Sequence, residues 1–339
     1  MEGINVWLVG GGLAVGAIFG VLIQYHRFCM VAATGNLLLI RDKRQVLAFL
    51  AALIVAISGT QLLEFTHTVS IETSSYRNSL FDWFGAGLGG IIFGIGSVIS
   101  GGCATRTLIR SAEGSISAII ALVFFMLFAA FAQFGFLEGT RLAITSMTAA
   151  ELTTDAAAAK VLGLPYWLPA VVIVVAFILY MIKNWNPAAK SMVVAGTIIG
   201  GLVVCGWYIT GVLAQDPFDP IRPSGMTVSG PMARFGYILI SGAIPTLSYS
   251  IAFVIGIAVA VFLYSLATGR FKIEMPSKAQ AIKSVIGGSV MGIGAIMAYG
   301  CNVGQGLTGI STLSVESIIA FSGMFTGTAL GVIWMEKHS

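Results

Sequence analysis

Apolar positions along the chain fall in long unbroken runs, without the alternation of half-buried strands or the narrow stripe of soluble helices. A bilayer core about 30 Å thick asks for about 20 apolar residues per helix. Nine runs are of that order, at 4–25, 45–63, 81–100, 114–137, 166–182, 191–213, 248–268, 281–299 and 315–335. Four shorter pieces, near 28–40, 103–111, 232–246 and 301–313, cannot cross and predict re-entrant or half-spanning helices packed inside the protein. The expectation is an all-α polytopic membrane protein of about nine transmembrane helices plus short re-entrant helices. Composition agrees: 57% of the residues are hydrophobic and 9% charged, where soluble domains carry about 25% charged residues. A soluble enzyme and a nucleic-acid binder are thereby excluded, and membrane lipid is the expected surrounding.

The net charge of +4, from 18 Lys+Arg against 14 Asp+Glu, is no polyanion-binding excess; the charges matter through their placement. One side collects Arg41, Lys43, Arg44, Arg106, Arg110, Lys183, Lys190, Arg270, Lys272, Lys278, Lys283 and Lys337, 12 of the 18. That side is expected to be cytoplasmic, with the N-terminus periplasmic and the C-terminus inside. The first run has no basic start, so it reads as a retained span and not a cleaved signal. Residues 138–165 read as a polar, partly helical cover, and 214–233, with four prolines, as a lid or connector.

A self-match runs through the chain. Gly89-Gly90-Ile91-Ile92-Phe93-Gly94-Ile95-Gly96, followed by Gly102-Cys103, recurs 198 residues later as Gly287-Gly288-Ser289-Val290-Met291-Gly292-Ile293-Gly294, followed by Gly300-Cys301. After a one-residue insertion the match continues from 115–122 to 314–321. Five crossings separate the copies, an odd number, so they run in opposite directions across the membrane. Such inverted repeats characterise transporters and channels, with the solute site at the midplane. The expected organisation is a single membrane domain, 1–339, with a first half at 1–137, an inverted second half at 191–335, and an outside loop and linking helix at 138–190.

Each copy ends a long helix at Gly-Cys and starts a short one. Gly102 and Gly300 admit the break. Cys103 and Cys301 then stand near half-helix N-termini, where free amides and the dipole favour an anion. A tight-packing corner with an inert thiol is the plainer reading of one Gly-Cys, and duplication in opposed halves favours the site. No CxxC pair exists among Cys29, Cys103, Cys205 and Cys301, which argues against a zinc ribbon, a redox dithiol or a disulfide scaffold. Arg27, beside His26 and Cys29 where the first span ends, is a functional suspect if it lies at membrane depth. Cys205, inside an apolar helix, reads as a packing residue.

Gln24-x-x-Arg27-Phe28-Cys29, Gly101-Gly102-Cys103 and Gly300-Cys301-Asn302-Val303-Gly304-Gln305-Gly306-Leu307-Thr308-Gly309 together resemble the signatures of the YeeE/YedE family of bacterial inner-membrane sulfur transporters. The resemblance implies nine spanning helices and short ones in a pseudo-symmetric, hourglass-like body. It further implies that Cys29, Cys103 and Cys301 line the path of thiosulfate or a similar sulfur anion. A small cytoplasmic sulfurtransferase as partner is likewise a family expectation. The chemistry fits: a thiol offers a weak S–H donor and a polarizable contact to the soft sulfur, while half-helix N-termini face the charge. Arg106 is placed to tune the cytoplasmic exit, with Gly304 at the same offset in the second copy. Asn302, Gln305 and Thr308 offer donors to the oxygens, or simply cap the break. Rival readings are a membrane thiol sulfurtransferase or redox enzyme, and uptake of a selenium species or a soft metal ion. No metal or cofactor motif is present, and no phosphate-binding loop.

Overall fold

A backbone in lipid must satisfy its own N–H and C=O groups, and the apolar runs accordingly become helices. The computed structural model describes residues 5–77, 80–151, 157–161, 163–165, 167–216, 220–242 and 247–337. The first part of the chain forms α1 (Val6–His26), α2 (Met30–Leu39), α3 (Arg44–Phe65), α4 (Trp83–Ile99), α5 (Ala104–Ala112) and α6 (Ile116–Phe134). Next come α7 (Glu138–Thr148), a single-turn α8 (Ala158–Val161) and α9 (Trp167–Lys183). The remainder forms α10 (Lys190–Tyr208), α11 (Ser229–Ser241), α12 (Tyr249–Ala267), α13 (Lys278–Met297) and α14 (Val315–Lys337). A two-residue antiparallel ladder joins Leu80–Phe81 to Ala150–Glu151.

The helices pack in exchanged pairs, and glycine makes each pair close. Gly12 and Gly16 of α1 lie against the backbone of Tyr249 and Phe253 on α12, while Gly196 and Gly200 of α10 lie against that of Ala48 and Ala52 on α3. Gly90 and Gly94 of α4 abut Ala320 and Met324 of α14, and at the repeat-equivalent positions Gly288 and Gly292 of α13 abut Ala121 and Phe125 of α6. In all four pairs rising numbers meet rising numbers, so the partners run parallel. A β-carbon at any of these glycines would fall on backbone, so the absence of a side chain is what lets each pair close.

One crossing is antiparallel. Gly89 of α4 meets Ala298 and Gly96 meets Met291, while Gly287 of α13 meets Ser100 and Gly294 meets Phe93. Each contact maps onto another under the 198-residue offset, as a two-fold axis through the α4–α13 crossing requires. The inverted repeat is therefore physical, and it reaches beyond the self-matching stretch to α1, α3, α10 and α12.

Chain direction also counts the crossings. Eight segments are long and apolar enough to span, and α9, at 17 residues, is shorter. Because α6 parallels α13 and α3 parallels α10, α6 and α10 run the same way. Only a crossing by α9 between them restores alternation, and its 17 residues sit at the lower end of spanning lengths.

Candidate functional site

The broken elements converge at the α4–α13 crossing. Cys29 and Cys103 hold the same station on their hairpins: each is an extended residue (φ −153°, ψ 130° and φ −68°, ψ 171°) just ahead of a short helix, α2 and α5. Neither side chain caps its helix. The two thiols lie beside each other instead. Cys301 is 1% exposed and lies within electrostatic range of Cys103 and of Tyr76. All three are free thiols.

The two Gly-Cys elbows share their turns. Left-handed backbone occurs at Gly101 (φ 79°) and at its repeat mate Tyr299 (φ 53°), and again at Gly114 (φ 100°) and its mate Leu313 (φ 56°). The reversal thus falls one residue before Gly102 and Gly300, whose role is close approach. A β-carbon on Gly102 would come 2.9 Å from Cγ of Arg106, and one on Gly300 would come 2.7 Å from Cγ of Gln305. Arg106 and Gln305 are therefore spatial counterparts, and the earlier pairing of Arg106 with Gly304 is corrected. The extra residue of the second copy is absorbed by a π-helical segment, Gly304–Gly309, the form an inserted residue commonly takes.

The polar candidates separate by what they already bind. Gln305 is spent on structure: its Nε2 donates to the carbonyls of Ala298 and Tyr299, each at 3.1 Å, and its Oε1 accepts from Ser317 Oγ at 2.5 Å. Thr308 Oγ1 donates to Met226 O at 2.7 Å, pinning the segment ahead of α11. Asn302 is buried, and neither atom of its amide has a partner among the described residues. Nη1 of Arg106 is likewise buried and unpartnered. Arg27 sits outside this group, an exposed residue ending α1 in a left-handed turn (φ 49°). Cys205 is exposed on α10, which corrects its reading as a packing residue.

Two hydroxyls beside Cys301 carried no signal in the sequence. Tyr76, from the segment joining α3 to α4, bonds to Thr227, and both lie against Gly304. Burial, and then the proximity of Cys301, raise the Tyr76 pKa, while its bond to Thr227 opposes the rise. Tyr76 therefore stays a neutral donor. Neither residue belongs to a motif.

Inverted halves that exchange helices and meet through broken hairpins define a membrane transporter. Within that class the chain belongs to the Sulphur transport family, which it matches over residues 26–330. It is 25% identical over 360 residues to the thiosulfate transporter TsuA of Escherichia coli K12, covering 98% of this chain and 96% of that protein. To the thiosulfate transporter TsuA of Spirochaeta thermophila it is 29% identical over 329 residues, 92% of this chain and 94% of that one. A shorter match, 27% over 145 residues, links it to the probable transporter YedE of Salmonella typhimurium, covering 41% of this chain and 35% of that protein.

Proposed function

We propose that the protein takes up thiosulfate through a bacterial inner membrane, along a path lined by Cys29, Cys103 and Cys301. The observation that carries the reading is the convergence of three buried free thiols where two inverted hairpins meet. Thiols grip a soft dianion loosely enough to release it, which conduction requires. The unpartnered amide of Asn302 and Nη1 of Arg106 supply donors to its oxygens. Gly102, Gly300, Gln305 and Thr308 hold the hairpins in shape and leave the solute to the thiols.

In this reading residues 1–137 and 191–335 are the two halves, 138–190 links them, the N-terminus is periplasmic and the C-terminus cytoplasmic. A small cytoplasmic sulfurtransferase receives the anion. No bond to sulfur is made in the membrane, so no persulfide on any of the three thiols should be trapped during uptake; finding one by mass spectrometry would favour a sulfurtransferase instead. The direct test is uptake of labelled thiosulfate by cells without their own sulfur importers, competed with sulfate, sulfite, sulfide and selenite. Thiosulfate alone should compete strongly; equal competition by selenite or sulfite would overturn the assignment. A membrane potential, negative inside, opposes entry of a dianion by about 4.6 kcal/mol per 100 mV, at about 2.3 kcal/mol per charge. Accumulation therefore needs consumption inside or a coupled ion.

A further inference from the structure

Two acidic side chains lie buried together where the parallel helices α4 and α14 begin. Asp82, 2% exposed, precedes α4, and Glu316, 5% exposed, is in the first turn of α14. Asp82 is richly served: it accepts from the amide of Gly85 at 2.9 Å and from the hydroxyls of Thr145 at 2.8 Å, Thr148 at 3.0 Å and Tyr299 at 3.4 Å. Glu316 makes no hydrogen bond or ion pair among the described residues, and Asp82 lies within electrostatic range of it. An ionised Glu316 would be an unpaired buried charge facing a like charge; the carboxylic acid would be neither.

Two arginines on neighbouring elements are bonded elsewhere. Nε of Arg141 on α7 donates to Ala132 O, and Arg77 is engaged by Glu64 and by the carbonyl of Thr312. Symmetry offers no structural reason for an acid at this place. The repeat mate of Glu316 is Ser117, which bonds to Ser115 at 3.0 Å and to Arg110 at 3.3 Å. The position is also wired to the Cys301 elbow. Tyr299, which donates to Asp82, forms its left-handed turn, and Ser317, the neighbour of Glu316, holds Gln305 within it.

We propose that Glu316 is a proton-carrying site that couples anion uptake to proton entry: it is protonated from the periplasmic face, a proton moves inward with each anion, and the net charge moved falls from two to one. The proposal rests on the uptake reading and on its orientation.

Purified protein in liposomes, with the membrane potential clamped at zero by potassium and valinomycin, separates the two. An acid-outside gradient of one pH unit should raise the accumulation of labelled thiosulfate about tenfold for one proton per anion. Glu316→Gln should keep counterflow exchange of thiosulfate and lose that response, while Glu316→Asp should retain part of it. Thiosulfate added outside should also drive proton entry into wild-type liposomes, read by an internal pH dye. A wild type that exchanges thiosulfate but ignores the gradient, or a Glu316→Gln that still responds tenfold, overturns the proposal alone. Absence of wild-type counterflow overturns the uptake reading and the proposal with it.

Discussion

The Cys103 elbow and the Cys301 elbow are built on one plan and furnished differently. Their left-handed turns fall at matching positions, and each thiol stands just after a glycine that lets the following helical turn close in. Yet the first elbow leads into a regular helix, α5, and pairs its thiol with a second one, Cys29. The second leads into a π segment and sets its thiol beside the hydroxyls of Tyr76 and Thr227. Arg106, with a free buried nitrogen, faces the first; Gln305, fully bonded, braces the second. Two-fold symmetry supplies the scaffold, and departures from it supply direction: a path with identical ends would not tell loading from release.

Substitutions can break this comparison. The largest effect is expected from Cys29→Ala, Cys103→Ala and Cys301→Ala, each of which should reduce labelled thiosulfate uptake to the level of empty liposomes while the protein remains folded. Normal uptake by Cys103→Ala would remove the first elbow from the path. Next, Gly300→Leu should destabilise more than Gly102→Leu in thermal unfolding in detergent. Overpacking costs about 1–3 kcal/mol, and Gln305 is pinned by three hydrogen bonds, whereas Arg106 is held by no such set and can move aside. Equal losses would mean that the elbows are equally rigid. Gln305→Ala, which strands buried partners, should lower stability by about 1–3 kcal/mol. Arg106→Gln should leave the unfolding temperature unchanged and raise the half-saturation concentration about tenfold, the loss of one charge-assisted contact. Smallest of all, Cys205→Ala, at an exposed position of α10, should stay within about 0.5 kcal/mol of wild type with unaltered uptake.

Much of this was legible in the sequence because the bilayer leaves few choices. Apolar run length located the eight segments long enough to span, and the run at 166–182 became the shorter α9. The 198-residue offset revealed an inversion that the α4–α13 crossing reproduces contact for contact. What escaped was side-chain commitment. Gln305 and Thr308 look like anion donors in a motif, but their hydrogen bonds are already taken by backbone and Ser317. Tyr76 and Thr227 arrive from loops with no periodicity, and Glu316 was one acid among fourteen until its burial beside Asp82 was known. The counterpart of Arg106 was missed for a geometric reason: a one-residue insertion absorbed as a π turn shifts the register by one position.

The central claim is that the two elbows share one solute. An anomalous difference map of the protein soaked with a selenium-substituted thiosulfate tests it most directly. The expected result is a peak among the sulfurs of Cys29, Cys103 and Cys301, within reach of Asn302. A peak confined to the crevice of about 690 Å³ between α3 and α9, lined by Gln61, His67 and Trp167, would contradict it.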